Sequence, residues 1–424
     1  MKNQRVKQWL RLGSSVLLGM SFAMGADEGA LMPPEAGDFG ATVIQAQSLK
    51  TTPQLPPTAQ DRIHFSWALD PAKQLNLDYE SYQAQSKAYR LVVSSSDFEK
   101  GIALPLESSR PLIKISPQAV DGKVNVNHAI QPQDLILVDR NGTLYHGTEG
   151  VDMPAAAEDL QRAHKKRFAP ATTMFKLAHE VGHQSVHLFA QNVDQSRERT
   201  YVIQVFEKHA GAALRLQTER DTYFAGETLR INTGWVSDMG KIATESMQGH
   251  LISPDGRRFP LTFSADGSSA AAQLPKTLSQ HKALWRVDVQ AAGLHGDTLI
   301  RRDAHVGVAI SEAGARFGGH VAFDQTETQV IADLAVETAV TGRFEARAVL
   351  FATDAAGEMV PVSVAHVADL LPKGEHRLDL QFELPADVDA GAPYELRDLR
   401  LVHQDRGSLL HRQRVGLRFD PGAE

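Results

Sequence analysis

The chain has 424 residues, with 44 Lys and Arg against 51 Asp and Glu, a formal net charge of −7, and no cysteine. Disulfides and a cysteine-borne lipid anchor are excluded, and the acidic balance argues against nucleic acid or an acidic membrane as partner, because both demand a basic footprint. Stability must come from burial alone, and this length supplies two to four domains with adequate cores.

Residues 1–26 place Lys2, Arg5, Lys7 and Arg11 ahead of an apolar run from Leu12 to Met24, followed by small residues. This is the pattern of a secretory signal peptide, with cleavage near Ala23-Met24-Gly25 or after Ala26. The run falls short of the ~20 apolar residues a membrane span requires, and no comparable run follows it. Its removal leaves 40 basic against 51 acidic residues, a balance of −11. The expectation is an exported protein, periplasmic or secreted, with no integral membrane segment after cleavage. Residues 27–60 hold Pro33-Pro34, Pro53 and Pro56-Pro57 with few large apolar residues, and read as a linker or extended arm.

Residues 61–210 read as a mostly-β N-terminal domain, since the apolar pattern there has period two. Leu135-Ile136-Leu137-Val138-Asp139, Arg140-Asn141-Gly142 and Thr143-Leu144-Tyr145 spell a hairpin, because Asn and Gly tolerate positive φ. The exception to the β pattern is MPAAAEDLQRAHKKRFAP, with Pro154 near its start, acids early and cations late, which predicts one short helix. The basic run His164-Lys165-Lys166-Arg167 suits the solvated end of that helix.

HEVGH at 179–183 spells a zinc-hydrolase motif: on a helix His179 and His183 are ligands one turn apart and Glu180 polarises a metal-bound water. Several features oppose that reading. The apolar face breaks at Gln184 and Ser185, while the extended motif requires Gly at 186 and His at 189 and finds Val186 and Phe189. Glu198 and Glu207 lie in a charged turn and at a strand end, so neither supplies a recognisable third ligand. The alternation of Val186, Leu188 and Ala190 favours a strand after a turn, and predicts no helix through His179 to His183. On that strand positions 183, 185 and 187 share a side, so His183 and His187 are a weaker candidate metal pair.

Residues 211–310 carry about seven short strands, with turns at Ala225-Gly226 and Pro254-Asp255-Gly256, which is the count for an immunoglobulin-like sandwich. Trp285, Val287 and Val289 share one face there. Residues 311–420 repeat the texture: Phe344, Ala346, Ala348 and Leu350 alternate with charged residues, as do Leu378, Leu380, Phe382 and Leu384. Trp67, Trp235 and Trp285 form a sugar platform only if exposed, and packing is the expectation for Trp285. Asp387-Val388-Asp389-Ala390-Gly391 resembles a calcium loop only in its first letters.

The order and texture of GIALPLESSRPLIKIS, FKLAHEVGHQSVHL, YVIQVFEKHAG, LISPDGRRFPL, LIRRDAHVGVAI, GRFEARAVLFATDAAGEMVPVSV and APYELRDLRLVHQDRGSLLHR, from about residue 61 to 418, resemble a secreted Gram-negative bacterial family filed as domain of unknown function 4785. The resemblance implies an N-terminal, largely β domain followed by two immunoglobulin-like domains, with no assigned activity. It also implies a strand-to-strand turn at Glu180-Val181-Gly182 in which Gly182 belongs to the pattern and histidines at 179 and 183 do not.

The fold expected is all-β and multi-domain, and the function a non-enzymatic binding or adhesion-type module with a protein or glycan ligand, no catalytic residue and no cofactor. The alternative is a zinc metallopeptidase or amidase using His179, Glu180 and His183. A third reading is assembly through an exposed sheet edge, as strand-adding modules do.

Overall fold

The computed structural model of the chain describes residues 27–44, 61–79, 81–119, 125–164, 168–181, 184–278, 283–386 and 388–421. The expected signal peptide, Lys165 to Arg167, Gly182, His183 and Asp387 lie outside the described residues. The protein is all-β and multi-domain: its strands form three pairs of sheets, each pair closed around its own apolar core.

In the first sandwich a five-stranded sheet runs in the order Val151–Ala155, Thr173–Leu177, Leu112–Pro117, Thr200–Phe206, Ala88–Ser94. It faces a four-stranded sheet of Ile102–Leu106, Gln184–Ala190, Leu135–Val138 and Leu144–His146. Period-two alternation drives Phe175, Leu177, Val186 and Leu188 to 0 % exposure between them. Truncating such a side chain to Ala costs about 2–5 kcal/mol. The hairpin forms as expected, with Gly142 at φ +82 and the Asp139 carboxylate accepting the amides of Asn141 and Thr143. The helix begins later than the sequence pattern implies: Pro154 ends up in the strand Val151–Ala155, and only Ala157–His164 is helical. A second, single-turn helix is Asp97–Lys100, which buries Phe98.

The middle sandwich pairs Thr262–Phe263, Ser269–Gln273, Thr228–Ser237, Ala212–Thr218 and Gln83–Ser86 in one sheet. The other holds Thr222–Phe224, Thr298–Ser311, Trp285–His295, Ala243–Ile252 and Arg258–Pro260. The third sandwich sets Asp27–Ala30, Ala315–Gln325, Gln329–Thr338 and Gly374–Glu383 against a six-stranded sheet. That sheet runs Phe39–Gly40, Ser408–Phe419, Ala390–His403, Gly342–Asp354, Met359–Leu371, Ile63–Ala68. Phe344, Leu350, Leu378 and Phe382 are all wholly buried there.

The chain is therefore nested. Where a linker or arm is expected, Asp27–Ala30 and Phe39–Gly40 instead complete the third sandwich, and Ile63–Ala68 adds its sixth strand. Gln83–Ser86 joins the middle sandwich before the first one starts at Ala88. The proline-rich composition suppresses a continuous apolar stripe but leaves short edge strands intact, since an edge needs only one partner.

A buried cation joins the first and middle sandwiches. Arg302, 1 % exposed, donates from Nη2 to Glu107 (2.6 Å), from Nη1 to Glu207 (2.8 Å) and from Nε to the carbonyl of Ala212 (2.9 Å). The second oxygens are satisfied as well: the amides of Glu107 and Ser108 donate to Glu207 at 2.7 and 2.8 Å, and those of Gly211 and Ala212 to Glu107. Beside it the guanidinium of Arg90 lies 3.2 Å from Asp288 and 3.5 Å from Asp303. Burial pushes Asp303 up to about 6, against the pull of Arg90 through its amide and its charge. The middle and third sandwiches meet where Arg412 reaches Asp221 at 2.9 Å and Phe39 packs edge-on to Phe224 at 6.2 Å.

Removing one partner of a buried charge cluster leaves the others uncompensated, at about 3–5 kcal/mol. Arg302→Leu is expected to lower unfolding free energy by that amount in urea titrations, and adding Glu107→Gln with Glu207→Gln is expected to recover part of it.

Two histidines of the third sandwich set an acid limit. Burial lowers His403 and His411 to about 4, below the ordinary 6.5, despite the opposing Asp405 beside His403 and the Gln413 hydrogen bond to His411. Between pH 6.5 and 4 the unfolded chain binds more protons than the folded one, so stability rises with pH through that window, by about 1.4 kcal/mol per pH unit for each histidine. Melting temperature is expected to fall steadily from pH 6.5 to pH 4, and less steeply in His411→Gln.

Candidate functional site

The zinc motif sits where the chain crosses between the two sheets of the first sandwich. After Thr173–Leu177 and buried Ala178, His179–Val181 make one 3₁₀ turn, and Gln184–Ala190 begins the return in the opposite sheet. Where a turn without helix is expected, the described residues His179–Val181 form a three-residue 3₁₀ turn; Gly182 and His183 lie outside the described residues. Val181, 2 % exposed, plugs the core, and a Cβ on Gly150 would meet Val181 and Tyr145 side-chain atoms at 2.9 Å. Tyr145 Oη donates to the Glu180 carbonyl at 3.0 Å, so the turn is pinned through its backbone.

His179 and Glu180 point to solvent, and His187 is exposed on its strand. Among the described residues no three His, Cys, Asp or Glu side chains are placed to hold a metal ion.

The three tryptophans separate. Trp285, 2 % exposed, belongs to the middle core. Trp235 is half-buried in the same sandwich with Nε1 donating to Thr244 at 3.2 Å. Trp67, 46 % exposed, lies on the outermost strand of the third sandwich, so the three share no platform.

Trp67 instead belongs to a site that the sequence reading missed. In Ile63–Ala68 the side chains of Ile63, Phe65 and Trp67 are 42, 49 and 46 % exposed on one face. Phe65 and Trp67 lie nearly parallel at 5.5 Å, and the His366 ring of the neighbouring strand lies 4.9 Å from Phe65 and 5.4 Å from Trp67. The polar face of the strand turns the other way: Arg62 pairs with Asp369 and Asp379, His64 lies 3.7 Å from Asp379, and Ser66 Oγ accepts the amide of Glu383. The strand is thus exposed along both faces, with only Ser66 half-buried; its polar side chains lie near the carboxylates of the third sandwich on one face and its aromatics point to solvent on the other. Period two alone does not reveal this, because an alternating strand looks the same whichever face is buried.

The aromatic row is held in place. His366 Nδ1 donates to Glu345 Oε1 at 3.0 Å, and that bond holds the Glu345 carboxyl below the ordinary carboxylate range, against burial and with help from Gln404 at 2.6 Å. The outer edge of Ile63–Ala68 pairs with no strand among the described residues.

The fold defines the class: a multi-domain, all-β protein of paired sheets. The chain belongs to the DUF4785 family: the profile of the domain of unknown function (DUF4785) N-terminal domain matches residues 55–207, and that of the C-terminal domain residues 314–419. A crystal structure of a DUF4785 family protein from Legionella pneumophila is similar at 17 % identity, covering 92 % of this chain and 99 % of that one with a TM-score of 0.66, which establishes a shared fold. An alpha-2-macroglobulin from Escherichia coli, activated by porcine elastase, aligns with 85 % of this chain and 31 % of its own at 11 % identity, but its TM-score of 0.21 carries no structural inference. Among curated proteins no relative matches.

Elemental analysis of protein purified without chelator is expected to find zinc well below one equivalent. Glu180→Gln is expected to leave melting temperature unchanged, because its side chain is exposed while its backbone makes the Tyr145 contact.

Proposed function

We propose that the chain is an exported, non-enzymatic binding protein of the periplasm or cell exterior, and that the strand Ile63–Ala68 takes an extended segment of a partner protein by strand addition. Export rests on the four cations and apolar run of residues 1–26. We also read the second and third sandwiches as immunoglobulin-like, on their two antiparallel-dominated sheets.

The observation that carries the binding role is the exposed apolar row on the edge strand. Natural edges are blunted with charge, proline or bulges, because an apolar edge with free backbone groups recruits another strand. Here Arg62 is paired with Asp369 and Asp379, and Ile63, Phe65 and Trp67 are displayed beside an edge that pairs with no strand among the described residues. An added strand satisfies the backbone and covers the aromatic row at once, which a ligand lacking a backbone cannot do.

Peptides selected from a displayed random library against the full chain are expected to share alternating apolar residues. Phe65→Ser with Trp67→Ser is expected to weaken them at least about tenfold, or ~1.4 kcal/mol, at unchanged melting temperature. Selected peptides that bind the double variant equally well, or a chain that pairs only with a second copy of itself in light scattering, would overturn this reading.

A further inference from the structure

The middle sandwich does not close at one end. Between the strand Thr228–Ser237, the strand Ala243–Ile252 and the turn at Ser264 to Ser268 there is a cleft of about 770 Å³. Its origin is local. Leu229, Ile231 and Thr233 pack inward in strict alternation, but the next inward position is Trp235, and the facing strand has a register shift between Thr244 and Ser246. A bulge bends its strand and increases the twist, and here Trp235 reaches across to Thr244 and Gly293 of the facing sheet.

The walls are of two kinds. Trp235, Met247 and Phe263 supply half-buried apolar surface. The indole is fixed: Nε1 is bonded to Thr244, and a Cβ on Gly293 would lie 3.1 Å from its Cζ2. Around it stand hydroxyl and charged groups, and Lys241, Glu245 and Ser246 have no side-chain hydrogen bond or ion pair among the described residues. The volume falls in the ~300–1,000 Å³ range of small-molecule sites.

The chemistry of the walls narrows the ligand. One lysine against Glu245 and Asp266 is too little cationic charge for a phosphate-bearing ligand, which needs several positive or amide donors. A lipid tail is excluded by the hydroxyl and charged lining, and a metal ion by the absence of three suitably placed ligands among the described residues. What fits is an uncharged molecule with an apolar face for Trp235 and many hydroxyls for the rim. We propose that this cleft binds a short neutral oligosaccharide, stacking a pyranose ring against Trp235 and hydrogen-bonding its hydroxyls to Glu245 and Ser246. The cleft lies on a different sandwich from the aromatic edge strand and does not depend on the strand-addition reading.

The full chain is titrated calorimetrically with cellopentaose, maltopentaose and chitopentaose. At least one is expected to bind with a Kd between about 10 μM and 1 mM, and Trp235→Leu and Glu245→Ala are each expected to weaken it at least about fivefold. Phe65→Ser with Trp67→Ser is expected to leave it unchanged, so failure of either site is distinguishable from failure of the other. If Trp235→Leu melts early, Glu245→Ala decides alone, since its side chain is exposed and packs against nothing that the fold needs. No heat from any of the three sugars at millimolar concentration, or binding that survives Glu245→Ala, overturns the proposal.

Discussion

Arg302 occupies a place where a charge is hard to keep. Its guanidinium is almost wholly removed from water, and the low local polarity makes both its desolvation and its attraction to Glu107 and Glu207 large. The cluster persists because every strong donor and acceptor around it is used, including four backbone amides contributed from two sandwiches. An apolar interface of the same area would hold the domains together but would tolerate rotation. A directional network of this kind instead ties Arg302 of the middle sandwich to Glu107 and Glu207 of the first in a defined geometry.

The outward face of the middle sheet, where Asp288 and Asp303 would otherwise meet solvent, is taken up by Arg90 of the first sandwich. The faces left open are an edge of the third sandwich and the cleft of the middle one. In each, the large side chains are braced by neighbours: His366 by Glu345, Trp235 by Thr244 and Gly293.

Much of the fold was legible in the sequence because burial writes itself as alternation. Trp285, Val287, Phe344 and Leu380 were placed on core faces by period two, and all are buried. The Asn141-Gly142 turn was legible through its backbone demands. What could not be read was which strand pairs with which, because pairing is decided by long-range contacts that leave no local trace: Ile63–Ala68 and Gln83–Ser86 look like the start of the first domain and belong to the third and middle sandwiches. The aromatic row was hidden for a related reason, since alternation gives two faces without saying which is inside. Around HEVGH, Phe175, Leu177, Val186 and Leu188 carried the strand signal.

The nesting of the chain has a kinetic side. Asp27 pairs with Phe323, Phe39 with Arg412, and Ile63 with Ala368, so the earliest described strands find partners only among the latest. Closing such long loops carries an entropic penalty before any contact compensates it, and topologies dominated by distant pairings fold slowly. The first and middle sandwiches can assemble while the early strands wait, and the third completes only when the segment ending at Phe419 is available. By this topology the third sandwich is expected to close last, as a belt buckles at its two ends, and Ile63–Ala68 has no partner until Met359–Leu371 is in place.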